Sequence, residues 1–158
     1  LNRGLYEEAA AEYVAFLDAG PTSDEAATAR YGLAVALSQL KRIAEARAQL
    51  DLIEESTEFA FQFESMLLRA QLMYSVSEFR DAGDVAANLI QTERNHPQAH
   101  MAAGLWVECL YRSGDHAASV KHSQHMLEYS FYADKDMDRV ALFGGLSLSE
   151  LGDDEGAA

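Results

Sequence analysis

The sequence has little of several residue types that often carry a protein's chemistry. Its one cysteine, Cys109, cannot form an internal disulfide. Its two prolines, Pro21 and Pro97, leave most of the chain free for uninterrupted helices, because proline removes a backbone donor and clashes with the preceding turn. Only 12 residues are basic against 26 acidic, which disfavours a nucleic acid as partner, since phosphate binding needs clustered positive charge. No apolar run is long enough for a transmembrane helix.

The residues that are present have the composition of one folded domain. The chain has 158 residues, of which 49% are hydrophobic and 24% charged, and its net charge is -14. That is enough apolar material to bury a core. No signal peptide is visible and the chain opens at Leu1. Localisation therefore stays open: the cytoplasm is the default expectation, and the cell envelope or periplasm is the alternative if a targeting segment is missing.

A short pattern recurs five times along the chain. Each copy has a small or turn residue, then two positions later a residue that is apolar or carries a ring in the first four copies and is Asp154 in the fifth, and a small residue three positions further on. The copies are Gly4/Tyr6/Ala9, Lys41/Ile43/Ala46, Ser77/Phe79/Ala82, Gly114/His116/Ser119 and Gly152/Asp154/Ala157. Their last members are 37, 36, 37 and 38 residues apart. This spacing predicts repeated turns, each leading into a helix whose small residue packs against a neighbouring helix.

Between these turns, apolar and small residues recur at intervals of three and four, as in Ala103, Trp106, Val107 and Leu110. The periodicity predicts eight helices, at about 4–19, 23–40, 43–55, 58–75, 79–93, 97–113, 116–129 and 136–151. No segment alternates with period two, so no sheet is predicted. The predicted fold class is all-α, with antiparallel helix pairs stacked into an α-solenoid.

These segments resemble the tetratricopeptide repeat family. The run from Gly4 to Ala9, followed by Tyr13, Phe16, Leu17 and Pro21, is similar to the second helix of that repeat, and the stretch from Leu33 to Leu50 is similar to a complete repeat. The resemblance implies one domain over 1–158 with units of approximately 1–22 (second helix only), 23–57, 58–95, 96–133 and 134–158. The chain departs from the family in its period of 36 to 38 residues and in having Ser119 where alanine is usual. The first of these helices is also similar to repeats of bacterial envelope assembly lipoproteins.

The resemblance implies a non-catalytic scaffold that binds a peptide or protein segment in a concave groove lined by first-helix side chains. The family's groove positions fall on Tyr31, Val35, Ser38, Gln39, Glu64, Leu67, Gln71, Tyr74, Glu108, Tyr111, Arg112, Arg139, Leu142, Leu146 and Glu150. Tyr74 and Tyr111 occupy the same slot 37 residues apart and are expected to lie side by side. The lysines and asparagines with which some family members clamp an acidic C-terminus are absent from these positions. The net charge of -14, with Glu64 and Glu108 in the groove, predicts a basic or mixed apolar-basic peptide.

Two alternatives of other classes remain open. His96 with His100, and His122 with His125, lie three or four residues apart and share a helical face, as a metal site in a regulatory or enzymatic module would require; Glu128 extends the second face. Solvated histidines explain the same spacing.

The other alternative is self-assembly, in which Leu5 at one end of the array stacks on Leu142, Leu146 and Leu148 at the other. No catalytic motif is recognisable, so we expect no enzyme and no cofactor. Cys109 lies on an apolar stripe and is expected to be a buried, unreactive thiol.

Overall fold

The computed structural model of the chain describes residues 2–53, 58–128, 132 and 137–156, with side chains in the last helix as far as Gly152. Within these ranges the chain forms eight α-helices and no strand, which confirms the all-α prediction. The helices are α1 (Arg3–Asp18), α2 (Ser23–Gln39), α3 (Ile43–Asp51), α4 (Gln62–Ser75), α5 (Phe79–Glu93), α6 (Ala99–Arg112), α7 (His116–Glu128) and α8 (Asp138–Gly156). No helix in the described part combines the length and hydropathy needed to cross a membrane.

Three helix bounds differ from the sequence prediction by four residues or more. The third helix ends at Asp51, and the described residues 52 and 53 after it are not helical. The fourth helix begins at Gln62 and not near 58. Residues 58–61, which precede it, form an irregular segment and a turn. The eighth helix continues to Gly156, through the position where the fifth copy of the pattern predicted a turn. Gly152 therefore lies inside a helix, and the prediction of a turn there is wrong. The predicted last residues of the third helix, 54 and 55, lie outside the described residues.

The chain divides into two compact units, Leu1–Leu72 and Met73–Ala158. In the first unit α1 packs on α2, and α2 packs on α3. Connections of three or four residues make these neighbours antiparallel. Leu33, Leu37 and Leu50 form the centre of the core, and Leu72 of α4 joins them.

The second unit is organised around α6. This helix packs on α5, α7 and α8, and α7 packs on α8. Its sequence explains its central place, because small residues at four positions let neighbouring helices approach on more than one side. The buried residues of α6 are Ala99, Ala102, Ala103, Gly104, Leu105, Val107, Glu108 and Cys109.

Three copies of the repeated pattern form turns with the same geometry. Their first residues, Lys41, Ser77 and Gly114, have φ angles of 63°, 66° and 81°, all in the left-handed region. In each turn the next amide donates a hydrogen bond to a carbonyl five residues earlier, the arrangement that closes a helix and satisfies its last carbonyls. These bonds run from Arg42 to Leu37 at 2.9 Å, from Glu78 to Met73 at 3.0 Å and from Asp115 to Leu110 at 2.9 Å.

The small residues that end the same three copies are buried. Ala46, Ala82 and Ser119 are each 0% exposed, as close helix packing requires. Ser119 also places its hydroxyl 3.4 Å from the carbonyl oxygen of Val107 and 3.5 Å from that of Phe143. A serine therefore replaces alanine here without leaving its hydroxyl unpaired. The first copy differs from these three, because Gly4 lies inside α1.

The left-handed turns give a prediction about backbone strain. Ser77→Gly and Lys41→Gly are each expected to raise the free energy of unfolding by about 1 kcal/mol, because only glycine adopts positive φ without steric cost. Gly114→Ala is expected to lower it by about the same amount. No heavy atom lies within 4 Å of the position its Cβ would take, so the cost comes from the backbone alone. Urea denaturation of the three variants measures these changes; a loss of stability in Ser77→Gly would contradict the assignment.

Candidate functional site

Four of the predicted groove residues meet in the second unit. They are Tyr74 in the last turn of α4, Glu108 and Arg112 on α6, and Arg139 in the first turn of α8, and we call them the Glu108 cluster. The hydroxyl of Tyr74 donates a hydrogen bond to Oε1 of Glu108. Nε of Arg139 donates to Oε2 at 2.6 Å, and a terminal nitrogen of Arg112 lies 3.4 Å from Oε1. One carboxylate thus joins side chains from three helices.

The sequence of α6 explains how the Glu108 cluster assembles. Arg112 follows Glu108 by four residues, so the two side chains share one face of the helix. Gly104 precedes Glu108 by one turn and makes room for the stem of Arg139. A Cβ at Gly104 would lie 3.0 Å from Cδ of Arg139, closer than carbon atoms normally approach. The glycine is therefore part of what lets Arg139 reach the carboxylate.

The charged side chains of the Glu108 cluster differ in how deeply they are buried. The side chain of Glu108 is 8% exposed, whereas those of Arg139 and Arg112 are 41% and 47% exposed. The carboxylate of Glu108 accepts hydrogen bonds within the cluster. The charged groups that reach the surface are therefore the guanidinium groups of Arg112 and Arg139, which are positive. The expectation that Glu108 offers a negative charge to a basic peptide is therefore wrong. Burial, together with the hydrogen bond to Glu108, raises the pKa of Tyr74, so its phenol stays a neutral donor.

Aromatic rings hold the two arginines of the cluster in place. The guanidinium of Arg139 lies 5.7 Å from the ring centre of Tyr74, and that of Arg112 lies 5.9 Å from the ring centre of Phe143. Both distances are within the range of cation–π attraction. The sequence prediction did not include Phe143, although its position four residues after Arg139 placed it on the same face of α8.

Tyr111 borders the Glu108 cluster through Phe143. Its ring centre lies 5.4 Å from that of Phe143 and 5.4 Å from that of His116. Tyr74 instead packs on Phe79 at 5.3 Å. Among the described ring contacts none joins Tyr74 to Tyr111, so the two rings do not pair as the shared slot suggested.

The groove residues predicted for the first unit are partly exposed. The ring of Tyr31 stacks on Phe61 with centres 5.5 Å apart. Burial raises the pKa of Tyr31, and the negative charge of Glu64 adds to that effect. Gln39 and Gln71 are exposed, and thus accessible to a partner.

Other predicted positions do not present a free side chain. Leu67 is 3% exposed and belongs to the buried residues, so its assignment to the groove is wrong. A leucine on the apolar stripe of α4 gains more from burial than from a place at the surface. The hydroxyl of Ser38 donates to the carbonyl oxygen of Val35 at 2.7 Å.

Of the groove residues predicted in α8, Leu142, Leu146 and Glu150 are exposed.

The histidines and the cysteine have ordinary structural surroundings. The ring of His122 lies 4.2 Å from that of Trp106, while His125 is exposed. In the part of the chain that the structure describes, no group of three or more His, Cys, Asp or Glu side chains could hold a metal ion. Cys109 is 1% exposed, and burial raises the pKa of its thiol to about 12, as expected for an unreactive side chain.

The site described above therefore rests on the chain's own residues. Comparison with protein-family models, with curated proteins and with solved structures gives no match. The resemblance to the tetratricopeptide repeat family remains a prediction, supported by the period of the left-handed turns at Lys41, Ser77 and Gly114 and by the buried small residue that follows each of them.

Proposed function

We propose that the chain is a non-catalytic interaction scaffold that holds a peptide or protein segment on the first-helix face of a tetratricopeptide-like array. The observation that carries this proposal is the Glu108 cluster. Four residues chosen from the sequence as groove positions meet there: Tyr74, Arg112 and Arg139 contact the carboxylate of Glu108, although the four come from three helices. The repeated turns support the array itself, because helix pairs with a common turn geometry stack in a common way.

The Glu108 cluster offers hydrogen-bond donors in fixed positions. Arg112 and Arg139 are half exposed, and each is restrained by an aromatic ring and by Glu108. A guanidinium already held in place loses less rotamer freedom when it binds an acceptor. Backbone carbonyls of an extended segment are acceptors of this kind. The cluster is therefore suited to holding the main chain of a bound segment.

The chemistry of the bound side chains follows from the rest of the molecule. The net charge of -14 favours a segment with basic or mixed apolar-basic side chains. The first unit by itself has an aromatic surface with a polar end, Tyr31 stacked on Phe61, of a kind that is common at recognition sites. Long-range attraction for a basic segment would be screened beyond about 8 Å at physiological salt.

Selection of a displayed random-peptide library on the purified chain tests this function. We expect enriched peptides to carry lysine or arginine beside apolar residues. Arg112→Ala should weaken their binding by about tenfold, as loss of a restrained interface arginine does. Arg80→Ala, which removes an exposed arginine from α5, is the matched control and should change the dissociation constant less than twofold.

Fluorescence anisotropy of a labelled selected peptide measures these constants. Equal binding by the wild type and Arg112→Ala would contradict the assignment of the Glu108 cluster. The double variant Gln39→Ala/Gln71→Ala examines the first unit in the same way, because both glutamines are exposed and can be shortened without opening the core.

Self-association is a second candidate, favoured by apolar side chains left in solvent. Leu142, Leu146 and Leu148 on α8 are 56%, 38% and 51% exposed, and Leu5 on α1 is 64% exposed. Leucines in such numbers on one helix are typical of a surface that another helix covers. Sedimentation velocity over a hundredfold range of concentration distinguishes this candidate, since a mass that stays monomeric would exclude stacking in solution over that range.

A further inference from the structure

A cavity of about 590 Å³ lies in the first unit, and none of its described lining residues belongs to the Glu108 cluster. Its walls come from the second half of α1, the first half of α2 and the segment before α4. Sites that enclose small organic ligands usually have volumes of about 300 to 1,000 Å³. The cavity is therefore large enough for a ligand of that kind.

Three aromatic side chains form apolar walls of the cavity. Tyr13 and Phe16 are three residues apart on α1 and share one face of the helix, and Phe59 contributes from the segment before α4. Phe16 is 45% exposed, and Tyr13 and Phe59 are partly exposed. Ring surface is thus accessible to a ligand at all three positions.

Contacts within the first unit hold two of these walls in place. A Cβ at Gly32 would overlap the ring of Tyr13, so this ring lies directly against the backbone of α2. Phe61, two residues after Phe59, stacks on Tyr31 of α2 with ring centres 5.5 Å apart. This stacking fixes the segment before α4 against α2. Rings that are already in place lose less conformational freedom when a ligand binds.

The charged side chains of the cavity are acidic. Glu12, Asp24 and Glu25 line it, and none of its described lining residues is lysine, arginine or histidine. The hydroxyl oxygen of Thr22 lies 3.0 Å from Oδ1 of Asp24 and 2.6 Å from Oε2 of Glu25, and the Thr22 amide donates to the same Glu25 oxygen at 3.0 Å. The hydrogen bonds with Thr22 lower the pKa of both carboxyls, so both are negative at neutral pH. Because threonine is uncharged, these bonds hold the carboxylates in position without neutralising them.

The ends of the two helices at the cavity add partial charges of both signs. The amino end of α2 carries about half a positive charge, which is smaller than the two negative charges of Asp24 and Glu25. The carboxyl end of α1 carries a negative partial charge, and its last turn has no basic residue to offset it. The local charge at the cavity is therefore negative, as a cationic ligand requires.

We infer that this cavity binds a small organic cation, a molecule with an apolar body and one ammonium group. The body would lie against Tyr13, Phe16 and Phe59, with the ammonium facing Glu12 and the start of α2. An ammonium is attracted both by carboxylates and by the faces of aromatic rings, whereas a neutral or anionic head group is not. This proposal goes beyond the interaction scaffold, because the ligand would bind without a peptide.

Three probes with the same aromatic body test the head group: phenylpropylammonium, phenylpropanol and phenylpropanoate. Each is titrated into the isotope-labelled chain, and the amide chemical shifts report both the affinity and the residues affected. We expect saturable shifts centred on the second half of α1 and the start of α2, with a dissociation constant for the ammonium about tenfold below that for the alcohol. The carboxylate probe should bind more weakly than the alcohol, since the acidic side chains repel it.

A fourth probe, Nα-acetyl-lysine methylamide, distinguishes a small molecule from a lysine side chain of a bound segment. It carries the same kind of ammonium group but no aromatic body, and should bind about tenfold more weakly than phenylpropylammonium. Equal binding of the two would overturn the assignment to a small molecule in favour of a basic peptide.

Two matched variants of α1 test the carboxylates. Glu12→Gln should raise the dissociation constant of phenylpropylammonium about threefold and leave that of phenylpropanol unchanged, because only the ammonium loses a partner. Asp18→Asn removes the same charge from the same helix, but Asp18 lines a different groove and its loss should leave both constants within about 1.5-fold. Asp24 and Glu25 stay intact in both variants, because their bonds to Thr22 cap α2. Circular dichroism shows whether the variants keep their helices.

Phe16→Leu tests the aromatic wall, because leucine keeps apolar bulk and removes the ring. It should weaken the binding of phenylpropylammonium about threefold and that of phenylpropanol less than about twofold. The inference is overturned if phenylpropanol or phenylpropanoate binds as tightly as the ammonium, if the shifts do not saturate, or if Glu12→Gln and Asp18→Asn have the same effect on the ammonium.

Discussion

Gly144→Ala is expected to lower the free energy of unfolding by about 3 kcal/mol, the upper part of the range for overpacked cores. A Cβ at Gly144 would lie 2.1 Å from Oγ and 2.6 Å from Cβ of Ser123 on α7. Rotation of the serine hydroxyl would relieve the first contact but not the second. Ser123 is 3% exposed, so α7 and α8 would have to separate. Urea denaturation followed by Trp106 fluorescence measures the loss, because α6 packs on both helices.

The neighbouring glycine provides the control for this prediction. Gly145 is exposed, with no heavy atom within 4 Å of the position of an added Cβ. Gly145→Ala should therefore raise stability by about 0.5 to 1 kcal/mol, the helix propensity difference between the two residues. The double variant Gly144→Ala/Ser123→Gly, which removes the obstructing side chain, should recover most of the loss. Equal stability of Gly144→Ala and the wild type would show that α7 and α8 are not this close.

Glu108→Ala is expected to lower the free energy of unfolding by about 2 to 3 kcal/mol, near the lower limit for breaking a buried ion pair. The substitution removes the acceptor of Tyr74 and of Arg139 together. The loss stays below the upper part of the range because Arg139 is 41% exposed and can turn toward water. Glu108→Gln should cost less, since the amide keeps one acceptor oxygen and nearly the same volume.

Arg112→Ala is the comparison for Glu108→Ala. Its nitrogen lies 3.4 Å from the carboxylate and its side chain is 47% exposed, so its loss should be the smaller of the two. A double-mutant cycle of Glu108→Gln with Arg139→Met isolates the energy of that pair. If Glu108→Ala and the wild type had the same denaturation midpoint, the cluster would not stabilise the second unit.

Much of the fold could be predicted because the turns and helices depend on local sequence. Apolar residues recurring at intervals of three and four predicted the eight helices, and the recurring pattern predicted the positions of the turns at Lys41, Ser77 and Gly114 but not their left-handed conformation. Local rules failed at Gly152, where a glycine compatible with a turn was kept inside α8. Gly152 is exposed, and nothing packs against the position its Cβ would take. Because glycine costs only about 1 kcal/mol within a helix, a single glycine is a weak signal for a turn.

The candidate site could be predicted only in part, because its residues depend on packing between helices. The repeat register brought Tyr74, Glu108 and Arg139 to one surface. It did not reveal that Glu108 is buried, since burial depends on how closely α8 approaches at Gly104. A pocket lined by Trp106, His122 and Met126 could not be predicted for the same reason. Its residues belong to separate helices, and no spacing in the sequence connects them.

The neighbour-to-neighbour packing around α6 also bears on how the second unit folds. Its partners α5, α7 and α8 all lie within two helices of it along the chain. Chains whose contacts join nearby segments close short loops first and cross a low entropic barrier, so they fold in about microseconds to milliseconds. The left-handed turn at Gly114 joins α6 to α7, and these two consecutive helices pack on each other. The second unit should therefore acquire its structure by successive local docking steps, each available before distant parts of the chain have met.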